Sequence, residues 1–201
     1  MTENLNDFNV EDVMKKGISN DLETYEEMLI EAAANKSCNL LPNADKNHAA
    51  VAYSVLFDSA TSHINLVVES FKGDVSNNPK YVKSITRCLE RGITFKVLSL
   101  NEPNPDSLGY KKLLEYNNLK NGSVEIKKAT LGSTSIIKKS AEDGGLELGE
   151  THNFSLFDND KYRLEFLPTE YMAFLSFNDP LFVSKYKIVF NEAFDLGVPI
   201  N

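Results

Sequence analysis

The spacing of hydrophobic residues changes along this chain and separates helical from strand-forming segments. In roughly the first sixty residues, apolar side chains recur every three or four positions, which is typical of helices that bury one face. This pattern predicts helices over residues 21–35 and 44–60. Asp21 stands where a helix N-cap residue is expected. We interpret residues 36–43, which include Pro42, as a linker between the two helices.

Short apolar runs rich in β-branched residues follow, and they alternate with further helical segments. Residues 64–71 and 93–100 are predicted strands, and residues 79–91 between them are a predicted helix. A strand, a helix and a strand in this order favour a right-handed crossover between parallel strands. The alternation continues with a predicted helix at residues 107–117 and a predicted strand at residues 123–131.

The last third of the chain begins with a polar segment and continues with strand-like runs. Residues 132–150 are rich in Ser, Gly and charged side chains and are predicted to form a mobile surface loop. The runs 152–158 and 161–166 flank a two-residue turn, which is typical of a β-hairpin. A strand at 169–178 and a helix at 179–197 complete the pattern. The predicted fold class is therefore α/β, a mixed sheet with helices on both faces.

The 201-residue chain is acidic, with a net charge of −8, but the charge is concentrated near its start. Residues 1–31 contain nine acidic side chains and two lysines, whereas the other 170 residues contain 20 acids and 19 bases. We therefore divide the chain into an acidic N-terminal arm and helix, residues 1–43, and a main domain, residues 44–201. Neither part has the basic excess typical of binding to nucleic-acid phosphates. General nucleic-acid binding is therefore not favoured.

Composition also bears on location and cofactor chemistry. No apolar run approaches the about 20 residues that cross a bilayer, and the first residues are too acidic for a signal peptide. Cys38 and Cys88 match no metal or disulfide spacing and are expected to be free thiols in a reducing cytosol. His48 and His63 share no metal-ligand spacing, and residues 132–135 lack the Gly-Lys-Ser/Thr of a phosphate-binding loop. We predict a cytoplasmic protein without a membrane segment, metal or cofactor.

The order of elements over about residues 44–196 is informative in itself. A helix precedes the strand INLVVESF, a second helix leads through residues 91–93 into the strand TFKVLSL, and a late hairpin and the segment SFND precede a final helix. This order resembles one half of the phospholipase D-like fold. In that superfamily the hairpin carries a His-x-Lys-(x)4-Asp motif, and the next strand carries Gly-Ser-x-Asn. The resemblance implies that two such halves meet across a two-fold axis, so we expect self-association.

The chemistry implied by the resemblance needs an imidazole nucleophile, a cation against the phosphate and an amide for a phosphate oxygen. If Asp158 is placed on the aspartate of the motif, Thr151 and Asn153 stand at its histidine and lysine positions. If His152 is placed on the histidine instead, phenylalanine and asparagine stand at the lysine and aspartate positions. Neither alignment gives the complete motif.

Six residues are candidates for a site. The candidate catalytic residues are His152, as nucleophile, and Asp158, as orienting carboxylate. The candidate ligand-binding residues are Ser176, Asn178, Arg163 and Glu165. His152 has a simpler interpretation as a half-exposed strand residue, and Asp158 as a turn residue. The Ser-x-Asn residues can satisfy backbone groups at a strand end, and Arg163 with Glu165 can form a surface ion pair.

The preserved order of elements and the incomplete motif together favour a catalytically degenerate phospholipase D-like protein. In this hypothesis it is an interaction or regulatory subunit of a cytosolic bacterial-type complex with a protein partner, and the resemblance also suggests phage defence. An alternative is an active phosphodiesterase or nuclease with a composite site in a homodimer, where Lys161 or Arg163 replaces the missing lysine. A second alternative is a small-ligand or nucleotide-sensing module that uses the same cleft without chemistry.

Overall fold

The computed structural model describes residues 21–119, 122–143, 152–167 and 171–200, and within these ranges it contains seven helices and one eight-stranded sheet. The helices are α1 (Leu22–Ala34), α2 (Lys46–Ser59), α3 (Asp74–Asn77), α4 (Pro79–Glu90), α5 (Leu108–Asn118), α6 (Leu131–Asp143) and α7 (Pro180–Asp195). The strands are β1 (Leu41–Asn43), β2 (His63–Val68), β3 (Thr94–Ser99), β4 (Val124–Lys128), β5 (Phe154–Phe157), β6 (Lys161–Leu167), β7 (Met172–Ser176) and β8 (Val198–Pro199). None of the helices in these ranges has the length and hydropathy of a bilayer-spanning segment.

The sheet is mixed, with the strand order β1-β7-β6-β5-β2-β3-β4-β8. β2, β3 and β4 are parallel, which matches the crossover predicted from the sequence. β5 runs antiparallel to β2 and begins a meander that continues through β6 and β7 to β1. The start of β5 therefore lies beside the end of β2, and the end of β5 lies beside the start of β2.

Each face of the sheet carries a hydrophobic core, because successive strand residues point to opposite sides. Leu66 of β2 packs in the core beneath α1, α2, α4 and α5, whereas Val67 packs in the core beneath α6 and α7. Phe57 of α2 is fully buried in the first core, and Phe190 of α7 is fully buried in the second. The predicted mixed α/β sheet with helices on both faces is confirmed.

Side-chain caps define where several helices begin, as their sequences indicate. The Asp179 carboxylate accepts a hydrogen bond from the backbone N–H of Phe182 at 3.0 Å, and Pro180 occupies the first turn of α7. Asp45 caps α2 in the same way, through the backbone N–H groups of Asn47 and His48. These caps satisfy donors that have no partner within the helix.

Two predicted irregular segments contain regular structure. The predicted linker at 36–43 contains β1, which pairs antiparallel with β7, so its last residues belong to the sheet. The predicted loop at 132–150 begins within α6, which buries Ile137 in the second core. Thr130 and Ser133 start α6 with a reciprocal capping box, in which each hydroxyl accepts from the backbone N–H of the other. Residues 144–150 of that loop, and residues 1–20 of the acidic arm, lie outside the described residues.

Candidate functional site

A cavity of about 110 Å³ lies at the carboxyl end of β2, on the sheet face that carries α2. The loop after β2 and the residues at the open end of the β5–β6 hairpin surround it. In sheets with parallel strands, ligands commonly bind beyond the carboxyl ends of those strands. Its lining includes the charged and polar side chains Glu69, Ser70, Lys72, Asn153, Arg163 and Glu165.

Arg163 and Glu165 of β6 are buried in this cavity, only 1% and 5% exposed, and do not form the surface ion pair expected from the sequence. They are buried because α2 covers this face, and the Arg163 guanidinium lies 4.8 Å from the centre of the Tyr53 ring. The guanidinium Nε donates to Asn43 Oδ1 at 3.0 Å, and Nη2 donates to the Tyr171 carbonyl at 3.3 Å. Arg163 Nη1 lies 3.7 Å from Glu165 Oε2. These contacts fix a buried positive charge beside a buried carboxylate.

Asn153 and Glu165 are joined across the hairpin at the edge of the cavity. The Asn153 amide donates to Glu165 Oε2 at 2.8 Å, and the Glu165 backbone N–H donates to the Asn153 carbonyl at 2.9 Å. Asn153 precedes β5 and lines the cavity on the α2 side of the sheet. Because strand residues alternate, its neighbour His152 belongs to the opposite side.

The loop after β2 presents a buried hydroxyl to the cavity. Ser70 is 1% exposed, and its Oγ makes no hydrogen bond within the described residues. The next residue, Phe71, has a φ of +54°, and Tyr171 across the cavity has a φ of +61°. Such left-handed conformations are uncommon outside glycine and often occur at functional sites. A polar group left unpartnered beside strained backbone indicates a place that a ligand completes.

The charges around the cavity balance. Lys72 and Arg163 are positive, and Glu69 and Glu165 are negative. The neutral hydroxyl of Ser70 and the amide of Asn153 add hydrogen-bond donors and acceptors. Across the described residues, no group of three or more His, Cys, Asp or Glu side chains is arranged to hold a metal ion. The cavity therefore offers hydrogen bonds without an excess of either charge.

His152 lies on the other side of the sheet, among aromatic rings. Its ring centre is 5.6 Å from that of Phe154 and 6.0 Å from that of Tyr186 in α7. The residue is 1% exposed rather than half-exposed, and neither ring nitrogen has a hydrogen-bond partner within the described residues. Burial lowers the pKa of His152 to about 4, so the imidazole is neutral at pH 7.

Asp158 closes the hairpin at the end of β5, beside the start of β2. Its carboxylate accepts hydrogen bonds from the backbone N–H and hydroxyl groups of Thr61 and Ser62, and from Lys161 Nζ at 2.8 Å. Burial acts to raise the pKa of Asp158, but the hydrogen bonds from Lys161 and Ser62 outweigh it and hold the pKa below its usual range. Asp158 has a φ of +55°, and the hydrogen bonds of its carboxylate join the loop before β2 to the hairpin turn.

Ser176 and Asn178 do not line the cavity. Ser176 at the end of β7 pairs with Tyr162 at the start of β6, so it lies at the end of the sheet where β2 begins, opposite to the cavity. The backbone N–H of Asp179 donates to the Asp160 carbonyl at 2.7 Å, which brings the following turn against the hairpin. Of the six candidate residues, the cavity therefore collects Arg163 and Glu165 only.

Most residues that line the cavity were not among the sequence-based candidates, and Asn153, Ser70 and Tyr53 are examples. Asn153 appeared there only as the residue at the lysine position of the motif. Strand alternation identifies Asn153 as a lining residue. It lies on the same face of the sheet as Ser155, whose Oγ is 3.0 Å from the Tyr53 hydroxyl. Ser70 sits in the predicted strand 64–71, and nothing in the sequence marks it as a lining residue.

Comparison with known proteins gives matches at the level of structure. The sequence matches no protein-family profile, and no curated protein sequence matches it. Nuc from Salmonella typhimurium, a phospholipase D family member, aligns with 14% identity and a TM-score of 0.54, covering 81% of this chain and 99% of Nuc. NucT from Helicobacter pylori aligns with 12% identity and a TM-score of 0.55 over the same shares. TrmBL2, an archaeal chromatin protein, aligns with 17% identity and a TM-score of 0.57, covering 95% of this chain and 65% of TrmBL2.

Proposed function

From the phospholipase D-like fold that this chain shares with Nuc and NucT, we propose that it binds a small polar ligand without net charge in the cavity at the carboxyl end of β2. We further propose that it does not cleave phosphodiesters there, so the domain is catalytically degenerate. The observation that carries the proposal is the cavity itself, where the Ser70 hydroxyl has no hydrogen-bond partner among the described residues and Arg163 and Glu165 are fixed side by side.

The proposed absence of hydrolysis rests on the residues at the motif positions. Asp158 closes the hairpin as a motif aspartate would, and in that alignment Thr151 and Asn153 stand at the histidine and lysine positions. Threonine has no imidazole to attack phosphorus, and a neutral amide carries no charge to stabilise the phosphate. His152 does not replace the nucleophile, because it is buried against Tyr186 on the other face of the sheet.

The class of ligand follows from the balance of charge. A phosphate placed in the cavity would meet the carboxylates of Glu69 and Glu165 as well as the cations Lys72 and Arg163. A neutral polyhydroxyl compound or a zwitterion instead uses donors and acceptors together and leaves no charge unpaired. The unpartnered Ser70 hydroxyl gives such a ligand one hydrogen bond at little cost, because that group is already removed from water.

A thermal-shift panel tests the binding proposal. Sugars and polyols, zwitterionic amino acids, nucleotides and inorganic phosphate are compared, and a neutral or zwitterionic compound is expected to stabilise the protein. A ligand at 100 times its Kd adds about 2.7 kcal/mol to the free energy of unfolding. Ser70→Ala should weaken binding about fivefold or more, whereas Ser84→Ala, a buried serine of α4 outside the cavity, should not. Stabilisation by phosphate compounds alone that Ser70→Ala weakens would contradict the proposal, as would no stabilisation together with no bound ligand in native mass spectra.

A hydrolysis assay tests the proposed lack of catalysis. With bis(p-nitrophenyl) phosphate and single-stranded DNA as substrates, we expect no turnover above background. Turnover that is lost in His152→Ala or Asp158→Asn, with the fold of each variant verified by circular dichroism, would replace this proposal with a phosphodiesterase. Assaying two concentrations of protein would then show whether a homodimer forms the site.

We also carry forward the proposal that the domain acts through association, as an interaction or regulatory subunit in the cytoplasm. The phospholipase D-like fold together with an incomplete catalytic motif supports this role. A domain that binds a ligand without converting it can pass the presence of that ligand to a partner protein. Native mass spectrometry of the protein isolated from its own host tests this role. A stoichiometric second protein or a homodimer is the expected result, and a monomer in every preparation would contradict it.

A further inference from the structure

A second cavity, of about 260 Å³, lies on the other side of the sheet and at the other end of β2. It opens between α7 and the amino ends of β2 and β3. The lining residues are His63, Asn65, Thr94, Lys96, Lys187 and Asn191. None of them lines the first cavity, so the two sites are separate.

The lining of this second cavity is cationic. Lys96 and Lys187 contribute two ammonium groups, and none of the described residues that line the cavity is acidic. Of the nearby acids, Asp158 accepts from Lys161 at 2.8 Å, and Glu125, which stands beside Lys96 in the β3–β4 register, has an oxygen 3.5 Å from Lys127 Nζ. The second cavity thus differs from the first, where the charges balance.

The Lys187 ammonium contacts two acceptors and keeps one N–H group for a ligand. Its ammonium lies 3.0 Å from Asn159 Oδ1 and 3.4 Å from His63 Nε2. The Ser62 hydroxyl lies 2.8 Å from both Asp158 Oδ1 and His63 Nδ1. Because the carboxylate can only accept, Ser62 donates to it, His63 Nδ1–H donates to Ser62, and Nε2 is left as an acceptor for Lys187. An ammonium has three N–H donors, so one remains for a ligand.

Asn65 supplies a buried amide next to the lysines. It is 5% exposed, and its side chain lines this cavity. In the β2–β3 register it stands opposite Lys96, so both side chains lie on the α7 face. Because Asn65 lines the cavity, a ligand bound there can reach its amide. Its N–H groups and the two ammonium groups make a set of donors suited to an oxyanion.

We propose that this second cavity, formed by Lys96, Lys187 and Asn65 between α7 and the sheet, is a binding site for the phosphate group of a small molecule. Bound phosphate oxygens accept from both ammonium groups and from the Asn65 amide. The site is independent of the cavity at the carboxyl end of β2.

Titration of the full chain with inorganic phosphate tests the site, with chloride replacing phosphate at constant ionic strength as the reference. In heteronuclear NMR spectra, we expect saturable shifts at His63, Asn65, Lys96 and Lys187. Lys96→Met and Lys187→Met should each weaken binding about tenfold. Lys185→Met is the matched control, because Lys185 is exposed on the same helix outside the cavity and its loss should leave Kd unchanged.

Two further variants separate a built site from general attraction of anions. Asn65→Leu keeps the net charge and a similar volume, and it should weaken phosphate binding several-fold. Ser70→Ala, in the first cavity, should not change phosphate binding, so failure of one site does not imply failure of the other. Equal weakening by Lys185→Met, shifts spread over all surface lysines, or binding by a DNA oligonucleotide and not by phosphate would overturn the proposal.

Discussion

Two buried polar side chains, the Ser70 hydroxyl and the His152 imidazole, make no hydrogen bond within the described residues. Their surroundings differ. Ser70 lies at the wall of a polar cavity, whereas His152 lies against the rings of Phe154 and Tyr186. A buried hydroxyl without a partner costs about 1–3 kcal/mol, so its presence at the cavity fits a role in binding. The imidazole lies on the opposite face of the sheet from that cavity and affects stability instead.

Ser70→Ala should leave the ligand-free protein as stable as before, or more stable by up to about 1 kcal/mol. The substitution removes a group that is already desolvated and unpartnered. Ser84→Ala should instead cost about 1 kcal/mol, because the Ser84 hydroxyl bonds to Ser54 Oγ and to the Lys80 carbonyl, both at 2.8 Å. Urea unfolding of both variants measures the difference. An equal loss in the two would show that Ser70 has a structural partner.

His152 should make the protein sensitive to mild acid. Its pKa is about 4 in the folded chain and near 6.5 in the unfolded chain. Between these values the unfolded chain binds more protons, so stability is complete above pH 6.5 and falls by about 3 kcal/mol as the pH decreases to 4. In His152→Leu this contribution should vanish, while those of other groups remain in both proteins. Urea unfolding at pH 7 and pH 5 tests it, and the same pH dependence in both proteins would contradict it.

At the scale of elements, the sequence predicts most of the fold because its helices and strands carry local signals. The helix cap at Asp179 and the apolar run of β2 can be predicted from the sequence without knowledge of the tertiary structure. β1 is not, because its three residues form a strand only by pairing with β7. α6 was missed because its polar composition is typical of loops, although Ile137 is buried by packing in the second core.

The site is less predictable than the fold for a similar reason. Alternation along β6 correctly places Arg163 and Glu165 on one face, but their burial depends on α2, which lies about a hundred residues earlier in the sequence. The resemblance to a motif directs attention to His152 and Asp158, whose roles as catalytic residues stay predictions. Ser70 carries no sequence signal, because its burial and missing partner are properties of the folded chain.

The capping box of α6 gives a prediction at this scale. Thr130→Ala removes the hydroxyl that accepts from the Ser133 backbone N–H at 3.2 Å. The expected loss is about 1 kcal/mol in the free energy of unfolding. Ser135→Ala is the control, because its exposed hydroxyl bonds only to the Leu131 carbonyl within the helix and alanine is the better helix former. Urea unfolding compares the two, and a Thr130→Ala protein as stable as the control would show that the box does not stabilise α6.

At the scale of the whole molecule, the segment before residue 44 reaches the first cavity. Tyr25 and Leu29 of α1 are 1% and 0% exposed in the core beneath α2. Asn43 of β1 is fully buried and accepts from Arg163 Nε at 3.0 Å, while its amide donates to the Tyr171 carbonyl at 2.5 Å. The guanidinium in the cavity therefore donates one of its hydrogen bonds to the N-terminal segment.

A chain of residues 44–201 tests whether the acidic segment is separable from the main domain. Burial of Tyr25 and Leu29 alone is worth about 1.5–3 kcal/mol each, and loss of Asn43 leaves a buried guanidinium short of an acceptor. Since domains are stable by only about 5–15 kcal/mol, we expect the shortened chain to lose cooperative urea unfolding. In the full chain, Asn43→Ala should cost about 1.5–3 kcal/mol and weaken ligand binding, whereas the exposed Asn39→Ala should change stability by less than about 0.5 kcal/mol. Full stability and ligand binding in the shortened chain would instead make residues 1–43 a dispensable appendage.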